Sequence, residues 1–249
     1  MTGKTAAQVV TDGVTTAKNV LLAAVLIVLI TSVSYAALFL GKPEKPTKPA
    51  TPINVACVGD SITEWSGYTT DLQALLGKDY SVGNFGVAGS AVSASWYKPY
   101  MKQSAFQKAK DFKPSIIVIM LGTNDAHTHQ STSSFASDYE HLINEYTVLD
   151  SQPRIYLVKP PPIYENELEL SGTNLQEEVL PSIEHVANEF SLPVVDVNSA
   201  LTDHPEYFAD GVHPNSEGAM AIANEIWEAL TVNAELTGGP IDNSIENSW

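Results

Sequence analysis

From residue 53 onward, short apolar runs alternate with longer segments in which apolar residues recur at helical spacing. Strand-like runs predict β-strands at 53–58, 80–85, 115–121, 154–158 and 192–197. The helix-like segments lie at 65–76, 101–111, 134–149, 173–190 and 216–230. The third run, SIIVIML, is apolar at consecutive positions, which is typical of a strand buried on both faces. The pattern therefore predicts an α/β fold, a five-stranded parallel sheet covered by helices on both sides.

A separate apolar segment precedes this alternating region. Residues 19–40 carry no charge, and a helix of that length, at about 1.5 Å per residue, spans about 33 Å, enough to cross a bilayer core of ~30 Å. We interpret it as a transmembrane signal anchor that follows an N-terminal cytoplasmic segment, 1–18, because the apolar stretch continues through residues 38–40. The alternative is a secretory signal peptide that is cleaved at the small-x-small sequence Ser34-Tyr35-Ala36.

The rest of the chain divides into a linker, one domain and a tail. The Pro/Lys-rich linker, 41–52, is expected to be an extended spacer. The predicted domain covers 53–230, and the tail, 231–249, has no strong periodicity. We expect a single-pass, membrane-anchored protein whose domain is extracytoplasmic, or a secreted protein if the N-terminal segment is cleaved.

The net charge and the cysteine count exclude one class of partner and one kind of cross-link. The formal net charge is −16, and no Lys or Arg follows Lys159. Such a surface repels nucleic acid, so no nucleic-acid partner is expected. Cys57 is the single cysteine, which excludes an internal disulfide, and its apolar surroundings predict a buried thiol.

Polar and glycine-rich segments follow the predicted strands. Because ligands bind at the carboxyl ends of the strands in an open parallel sheet, these segments predict a site at that edge. They are GDSITE (59–64), GVAGS (86–90), GTNDAHTH (122–129), KPPPIY (159–164) and, further along, ADGVHPN (209–215).

Ser61 has two interpretations on local grounds. Ser61-x-x-Glu64 matches a capping box at the start of a helix. A nucleophilic serine would instead need a base, a group that orients the base, and donors for an oxyanion. In Asp210-Gly-Val-His213 the carboxylate can orient the imidazole, and His213 can accept the proton of Ser61.

Two further groups can supply the oxyanion donors. Asn124 offers a side-chain amide after the third strand, and Gly89 offers a backbone N–H that no side chain shields. GDS, a glycine-rich loop, GxND and DxxH, in this order, resemble the four blocks of the SGNH hydrolases, the GDSL esterase/lipase superfamily. The resemblance covers roughly 53–230. Ile62 replaces the leucine that usually follows GDS.

The resemblance implies a three-layer α/β/α fold of flavodoxin-like type. It also implies roles: Ser61 as nucleophile, Asp210 and His213 as the other triad members, and an oxyanion hole formed by the Ser61 N–H, Gly89 and Asn124. Gly89 is preferred to Gly86 because it stands nearer the position of the second family block. Neither a metal nor another cofactor is expected.

Three further residues are candidates for substrate binding. Trp96 and Tyr97 lie on the loop that follows Gly89, where aromatic rings can stack on sugars or contact an acyl chain. His127 follows GTND and forms an HxH pair with His129. Without a matching carboxylate or cysteine cluster, this pair is more typical of a loop or of the rim of a site than of a metal centre.

These observations predict a serine esterase that hydrolyses small acyl esters, above all O-acetyl esters on carbohydrates, through an acyl-enzyme on Ser61. The basis for a small acyl group is that no long apolar lid segment is visible in the sequence. The same residues would serve a lysophospholipase, a thioesterase or an O-acyltransferase. A catalytically silent glycan-binding module is the alternative from another class.

Overall fold

The computed structural model describes residues 51–127 and 133–237 of the 249-residue chain. The predicted segments 1–18 and 19–40 and nearly all of the linker 41–52 lie outside these residues, as does 238–249. Among the helices of the described residues, none is both long and apolar enough to cross a membrane.

Five parallel strands form one sheet in the order β2-β1-β3-β4-β5. The strands are β1 Ile53–Gly59, β2 Tyr80–Gly86, β3 Ile116–Met120, β4 Arg154–Val158 and β5 Val194–Val195. The first four match the predicted runs closely. The fifth is shorter than the predicted 192–197, because Pro193 has no N–H for a ladder and the Asp196 side chain already caps the next helix.

The helices lie between and after the strands, as predicted. They are α1 Ser61–Trp65, α2 Tyr68–Leu76, α3 Ser104–Asp111, α4 Phe135–Thr147, α5 Gly172–Asn174, α6 Leu180–Phe190, α7 Val197–Leu201 and α8 Ser216–Thr237, with a π-helical turn, Leu175–Val179, between α5 and α6. The helix predicted at 65–76 is two helices, since Gly67 adopts a φ of 92° between them. The last helix runs seven residues beyond the predicted domain end at 230.

Both faces of the central strands β1 and β3 are largely buried. Along β3, Ile117 and Ile119 face a core that α3, α4 and α6 complete, whereas Ile116 and Val118 face a second core that α2, α7 and α8 complete. The consecutive apolar residues of this strand therefore fill two cores, and the predicted three-layer α/β/α arrangement is confirmed. Cys57 is fully buried in the second core, and burial raises the pKa of its thiol to about 12.

The topology creates a crevice at the carboxyl edge of the sheet. The chain runs from β1 to β2 on one side and then crosses to β3 on the other side of β1. Loops that leave β1 and β3 therefore diverge, and this switch point is where open α/β sheets bind ligands. GDSITE leaves β1 and GTND leaves β3 at this point.

Candidate active site

Ser61 is the first residue of α1 and is not the residue that caps the helix. The carboxylate of Asp60 accepts a hydrogen bond from the Ile62 N–H at 2.9 Å and so caps α1. Glu64 accepts from the Ala88 N–H at 2.6 Å, on the loop after β2. The capping-box interpretation of Ser61-x-x-Glu64 is therefore wrong, since both of its side chains have other partners.

A continuous series of hydrogen bonds joins Ser61 to the DxxH turn. The Ser61 Oγ lies 2.9 Å from the His213 Nε2, and the His213 Nδ1 lies 2.7 Å from the Asp210 Oδ2. With the carboxylate accepting from Nδ1–H, the Nε2 is left as the acceptor for the Ser61 hydroxyl. The structure thus brings together all three residues that the sequence placed in one triad.

The Asp210 carboxylate also shapes its own turn. Its Oδ1 accepts from the backbone N–H groups of Val212, at 3.0 Å, and His213, at 2.7 Å. Partial burial would raise the pKa of this carboxyl, but the hydrogen bonds from His213 and Val212 outweigh burial and hold it below its usual range. Asp210 is consequently ionised at neutral pH, as a partner for imidazolium must be.

Hydrogen bonds bring the segments of the predicted oxyanion donors to the start of α1: the Val87 N–H donates to the Gly59 carbonyl at 3.0 Å, and the Asn124 amide nitrogen lies 3.5 Å from the Asp60 Oδ2. Gly89 adopts a φ of 71°, and neither its N–H nor that of Ser61 donates to any other described residue. The Asn124 amide donates to the Ser90 carbonyl at 2.9 Å, which fixes its orientation, and its contact with the Asp60 Oδ2 is a second, longer hydrogen bond. Gly86, the alternative to Gly89, uses its N–H on the Asn84 side chain, so the hydrogen-bond pattern favours Gly89.

Two buried carboxyl groups, those of Asp60 and Asp125, hold the backbone around this site. Burial raises the pKa of Asp60 to about 6 and that of Asp125 to about 7. The Asp125 oxygens accept from the backbone N–H groups of Val92, at 3.0 Å, and Ser93, at 2.9 Å. Asp125 therefore ties the loop after β2 to the loop after β3.

The three predicted substrate-binding residues form one aromatic cluster. The Trp96 indole N–H donates to the Gly89 carbonyl at 2.9 Å, and its ring lies 4.8 Å from Tyr97 and 5.3 Å from His127. Tyr97 is 76% exposed. The cluster therefore stands next to the oxyanion donors, with a face open to solvent. His129, the other half of the HxH pair, lies outside the described residues.

Trp65 is a site residue that the sequence analysis missed. Its ring lies 5.6 Å from that of His213, and 64% of the residue is exposed. The helix was predicted to begin at residue 65, so Trp65 was not placed one helical turn after Ser61. The apolar residue four positions after the candidate nucleophile was the signal available.

The histidine beside Ser61 has no ring nitrogen left to bind a metal. His213 is the histidine at Ser61, and both of its nitrogens are engaged. Among the described residues, Glu140, His185 and Glu189 come close enough to share an ion, but they are on α4 and α6, away from the loops of the carboxyl edge.

Solved structures are similar to this chain in fold, and one relative is similar in sequence. A carbohydrate acetylesterase from Sinorhizobium meliloti superposes with a TM-score of 0.61 at 18% identity, over 73% of this chain and 99% of that one. The aryl esterase of M. smegmatis gives 0.61 at 17% identity, over 72% and 99%. An acetylxylan esterase of Xylanibacter ruminicola is 30% identical over 213 residues, which are 74% of this chain and 44% of the relative.

The chain thus spans less than half the length of that relative. The structural neighbours confirm the predicted fold. The model of the GDSL-like lipase/acylhydrolase family matches residues 57–221, which include the GDS, glycine-rich, GxND and DxxH segments. The predicted superfamily is confirmed, and the name of the family agrees with the predicted class of enzyme, a serine ester hydrolase. The chain belongs to the GDSL-like lipase/acylhydrolase family.

Proposed function

We propose that the protein is a serine esterase that hydrolyses small acyl esters, above all O-acetyl esters on carbohydrates. The observation that carries this proposal is the unbroken series from the Ser61 Oγ through His213 to Asp210, with distances of 2.9 and 2.7 Å. A glycan-binding module that does no chemistry has no need of such a series, which argues against that alternative.

Acylation begins at Ser61. The Nε2 of His213 takes the hydroxyl proton as the Ser61 Oγ attacks the ester carbonyl carbon, and Asp210 stabilises the imidazolium that forms. The low pKa of Asp210 suits this role, because a carboxyl that is already ionised compensates the new positive charge.

The negative charge of the tetrahedral intermediate develops on the former carbonyl oxygen. The N–H groups of Ser61 and Gly89 and the Asn124 amide are the donors proposed to stabilise it. Imidazolium then gives its proton to the departing alcohol oxygen, and an acyl-enzyme remains on Ser61. Water, deprotonated by His213, hydrolyses this intermediate and releases the acid.

These steps assign Trp65 to the alcohol part of the ester and the Trp96–Tyr97 pair to its acyl part. The leaving oxygen must receive its proton from His213, so the alcohol is placed on the Trp65 side. The acyl group is placed towards Trp96 and Tyr97, beside Gly89. An exposed tryptophan beside the general acid is a suitable platform for a sugar ring, whose C–H faces pack well on aromatic rings.

Two lines of support favour acetylated carbohydrate over other esters. Relatives in sequence and fold bear the names acetylxylan esterase and carbohydrate acetylesterase. The exposed Trp65, on the proposed alcohol side, also suits a sugar ester. Lysophospholipase, thioesterase and O-acyltransferase activity are the alternatives at the same triad, and the membrane anchor predicted at 19–40 would suit a lipid.

The first test compares the wild-type full chain with Ser61→Ala on p-nitrophenyl acetate. We expect kcat to fall by about 10⁴–10⁶-fold, because the nucleophile is lost. Ser66→Ala, a matched change of a serine outside the triad, should retain activity. Equal rates for wild type and Ser61→Ala would refute the triad assignment.

The substrate is tested separately. An acyl series from acetyl to palmitoyl on one leaving group should give its highest kcat/KM at acetyl, and a maximum at long chains would indicate a lipase. The rate of acetate release from acetylated xylan should exceed the rate of fatty-acid release from a lysophospholipid. Product analysis with added free sugar distinguishes transfer from hydrolysis. A wild-type chain that binds acetylated glycans and hydrolyses no ester would be a binding module.

A further inference from the structure

The backbone from Val87 to Ser90, which we call the oxyanion loop, is held by side chains at three consecutive peptide groups. Glu64 accepts from the Ala88 N–H at 2.6 Å, the Lys98 Nζ donates to the Ala88 carbonyl at 2.7 Å, and Trp96 donates to the Gly89 carbonyl at 2.9 Å. None of these three side chains belongs to the triad, so the loop has a support that the reaction steps above do not use.

Lys98 contacts the peptide group whose N–H is a proposed oxyanion donor, that between Ala88 and Gly89. The Ala88 carbonyl and the Gly89 N–H are the two ends of one planar peptide unit. Gly89, at a φ of 71°, can adopt many backbone conformations, so this unit needs an external restraint to keep its N–H in place. An ammonium on the carbonyl oxygen supplies the restraint and also draws electron density from the N–H, which becomes a stronger donor.

The fold explains why Lys98 reaches this oxygen. The loop after β2 turns back on itself, and Ala91 donates to the Lys98 carbonyl at 3.2 Å while Tyr100 donates to the Ala91 carbonyl at 2.8 Å. This short pairing places Lys98 beside Ala88. The Lys98 residue is half-buried, so its charge acts where solvent screens it less than at an open surface.

We propose that Lys98 is a positioning residue of the oxyanion hole, whose ammonium fixes and polarises the Ala88–Gly89 peptide. This inference rests on the proposed function. Among the described residues, Lys98 makes no hydrogen bond or ion pair with Ser61 or His213, and it acts through the Gly89 N–H. Its loss should therefore weaken the binding of the transition state much more than that of the ester.

The test is Lys98→Met in the full chain, assayed on p-nitrophenyl acetate. We expect kcat to fall by about 10–100-fold, less than the ~10²–10³-fold typical of a lost donor, with KM changed by less than about threefold. Lys98→Arg keeps a cationic donor and should recover most of the rate. The control is Lys102→Met, which removes an exposed charge four residues away and should behave as wild type.

A second readout separates positioning from general damage to the protein. An acetyl-type trifluoromethyl ketone forms a hemiketal with Ser61 whose oxyanion occupies the same hole, so its Ki should rise in Lys98→Met by the same factor as kcat falls. Lys98→Gln keeps a neutral donor and should be intermediate. Thermal unfolding identifies a variant that has lost its fold, and Lys98→Gln and Lys98→Arg then carry the test.

Two results would overturn the inference. One is a wild-type kcat in Lys98→Met, and the other is a fall in kcat that leaves the affinity for the trifluoromethyl ketone unchanged. Failure of the proposed function is distinguishable, because it would appear as absence of Ser61-dependent hydrolysis in the wild-type chain itself.

Discussion

Replacing Asp210 by Asn tests which atom donates and which accepts in each hydrogen bond of the proposed triad. The Oδ1 of Asp210 accepts from two backbone N–H groups, those of Val212 and His213. An asparagine must keep an acceptor there, so its carbonyl oxygen takes the Oδ1 position and its NH2 takes the Oδ2 position. That NH2 faces the His213 Nδ1, which lies 2.7 Å from Oδ2 in the wild-type structure.

The consequence is that the His213 imidazole adopts the opposite tautomer. With a donor opposite Nδ1, His213 must carry its proton on Nε2 and can only donate to the Ser61 Oγ, 2.9 Å away. It then cannot accept the hydroxyl proton. The loss of an orienting carboxylate in this way costs about 10⁴ in kcat, and this corresponds to about 5.5 kcal/mol of activation free energy.

The assay is the kcat of Asp210→Asn on p-nitrophenyl acetate, with KM measured in the same experiment and expected to stay near wild type. The 15N chemical shifts of the His213 ring should show the tautomer change directly. Asp203→Asn, the same change at an exposed acid of the preceding loop, is the control. A variant that keeps more than about a tenth of the wild-type kcat would refute the reasoning, since the tautomer would then not control the rate.

Three further predictions concern groups around the triad. Asn124→Ala should lower kcat by about 10²–10³-fold, a loss of about 2.7–4 kcal/mol, and a rate within twofold of wild type would remove Asn124 from the oxyanion hole. Trp65→Ala should lower kcat/KM about 10-fold on acetylated xylo-oligosaccharide, through the loss of roughly 1.4 kcal/mol of contact. The same variant should match wild type on methyl acetate, and an equal loss on both esters would contradict the alcohol-side assignment. Because burial raises the folded-state pKa of Asp125 to about 7, its contribution to stability is complete below about pH 4 and declines as the pH rises through 7. Urea unfolding at pH 5 and pH 8 should therefore show a smaller decline in Asp125→Asn, by on the order of 2 kcal/mol, whereas equal declines would contradict the raised pKa.

Periodicity was enough to predict the sheet and most of the helices. The strands β1, β3 and β4 are short, mostly apolar runs, and the rule that ligands bind at the carboxyl ends of parallel strands predicted that the site segments lie at one edge. The short β5 was overestimated, because a local pattern does not show which residues find a partner in the sheet. The predicted helix at 65–76 divides at Gly67, where a φ of 92° ends the α conformation.

The triad residues were predictable because each lies in a short, distinctive block. The supports of the oxyanion loop were not, since Glu64 and Lys98 reach the Ala88 backbone from 24 and 10 residues away. Such contacts depend on how two loops meet, and a charged residue on a loop is common in any sequence. Glu64 even gave a misleading signal, because its spacing from Ser61 matches a capping box, but Asp60 caps the helix.

The five residues of α1 link the proposed nucleophile, the proposed oxyanion hole and the proposed alcohol side. On a helix, residues three and four positions apart lie on the same face. Ser61 contacts His213, Glu64 holds Ala88 of the oxyanion loop, and Trp65 lies against the ring of His213. A movement of this helix would therefore displace the nucleophile together with the oxyanion loop and the proposed sugar platform. Asp60 is not part of the Ser61-x-x-Glu64 capping pattern, yet its carboxylate holds the first turn of α1 through the Ile62 N–H. It therefore helps to fix the positions of Ser61, Glu64 and Trp65 together.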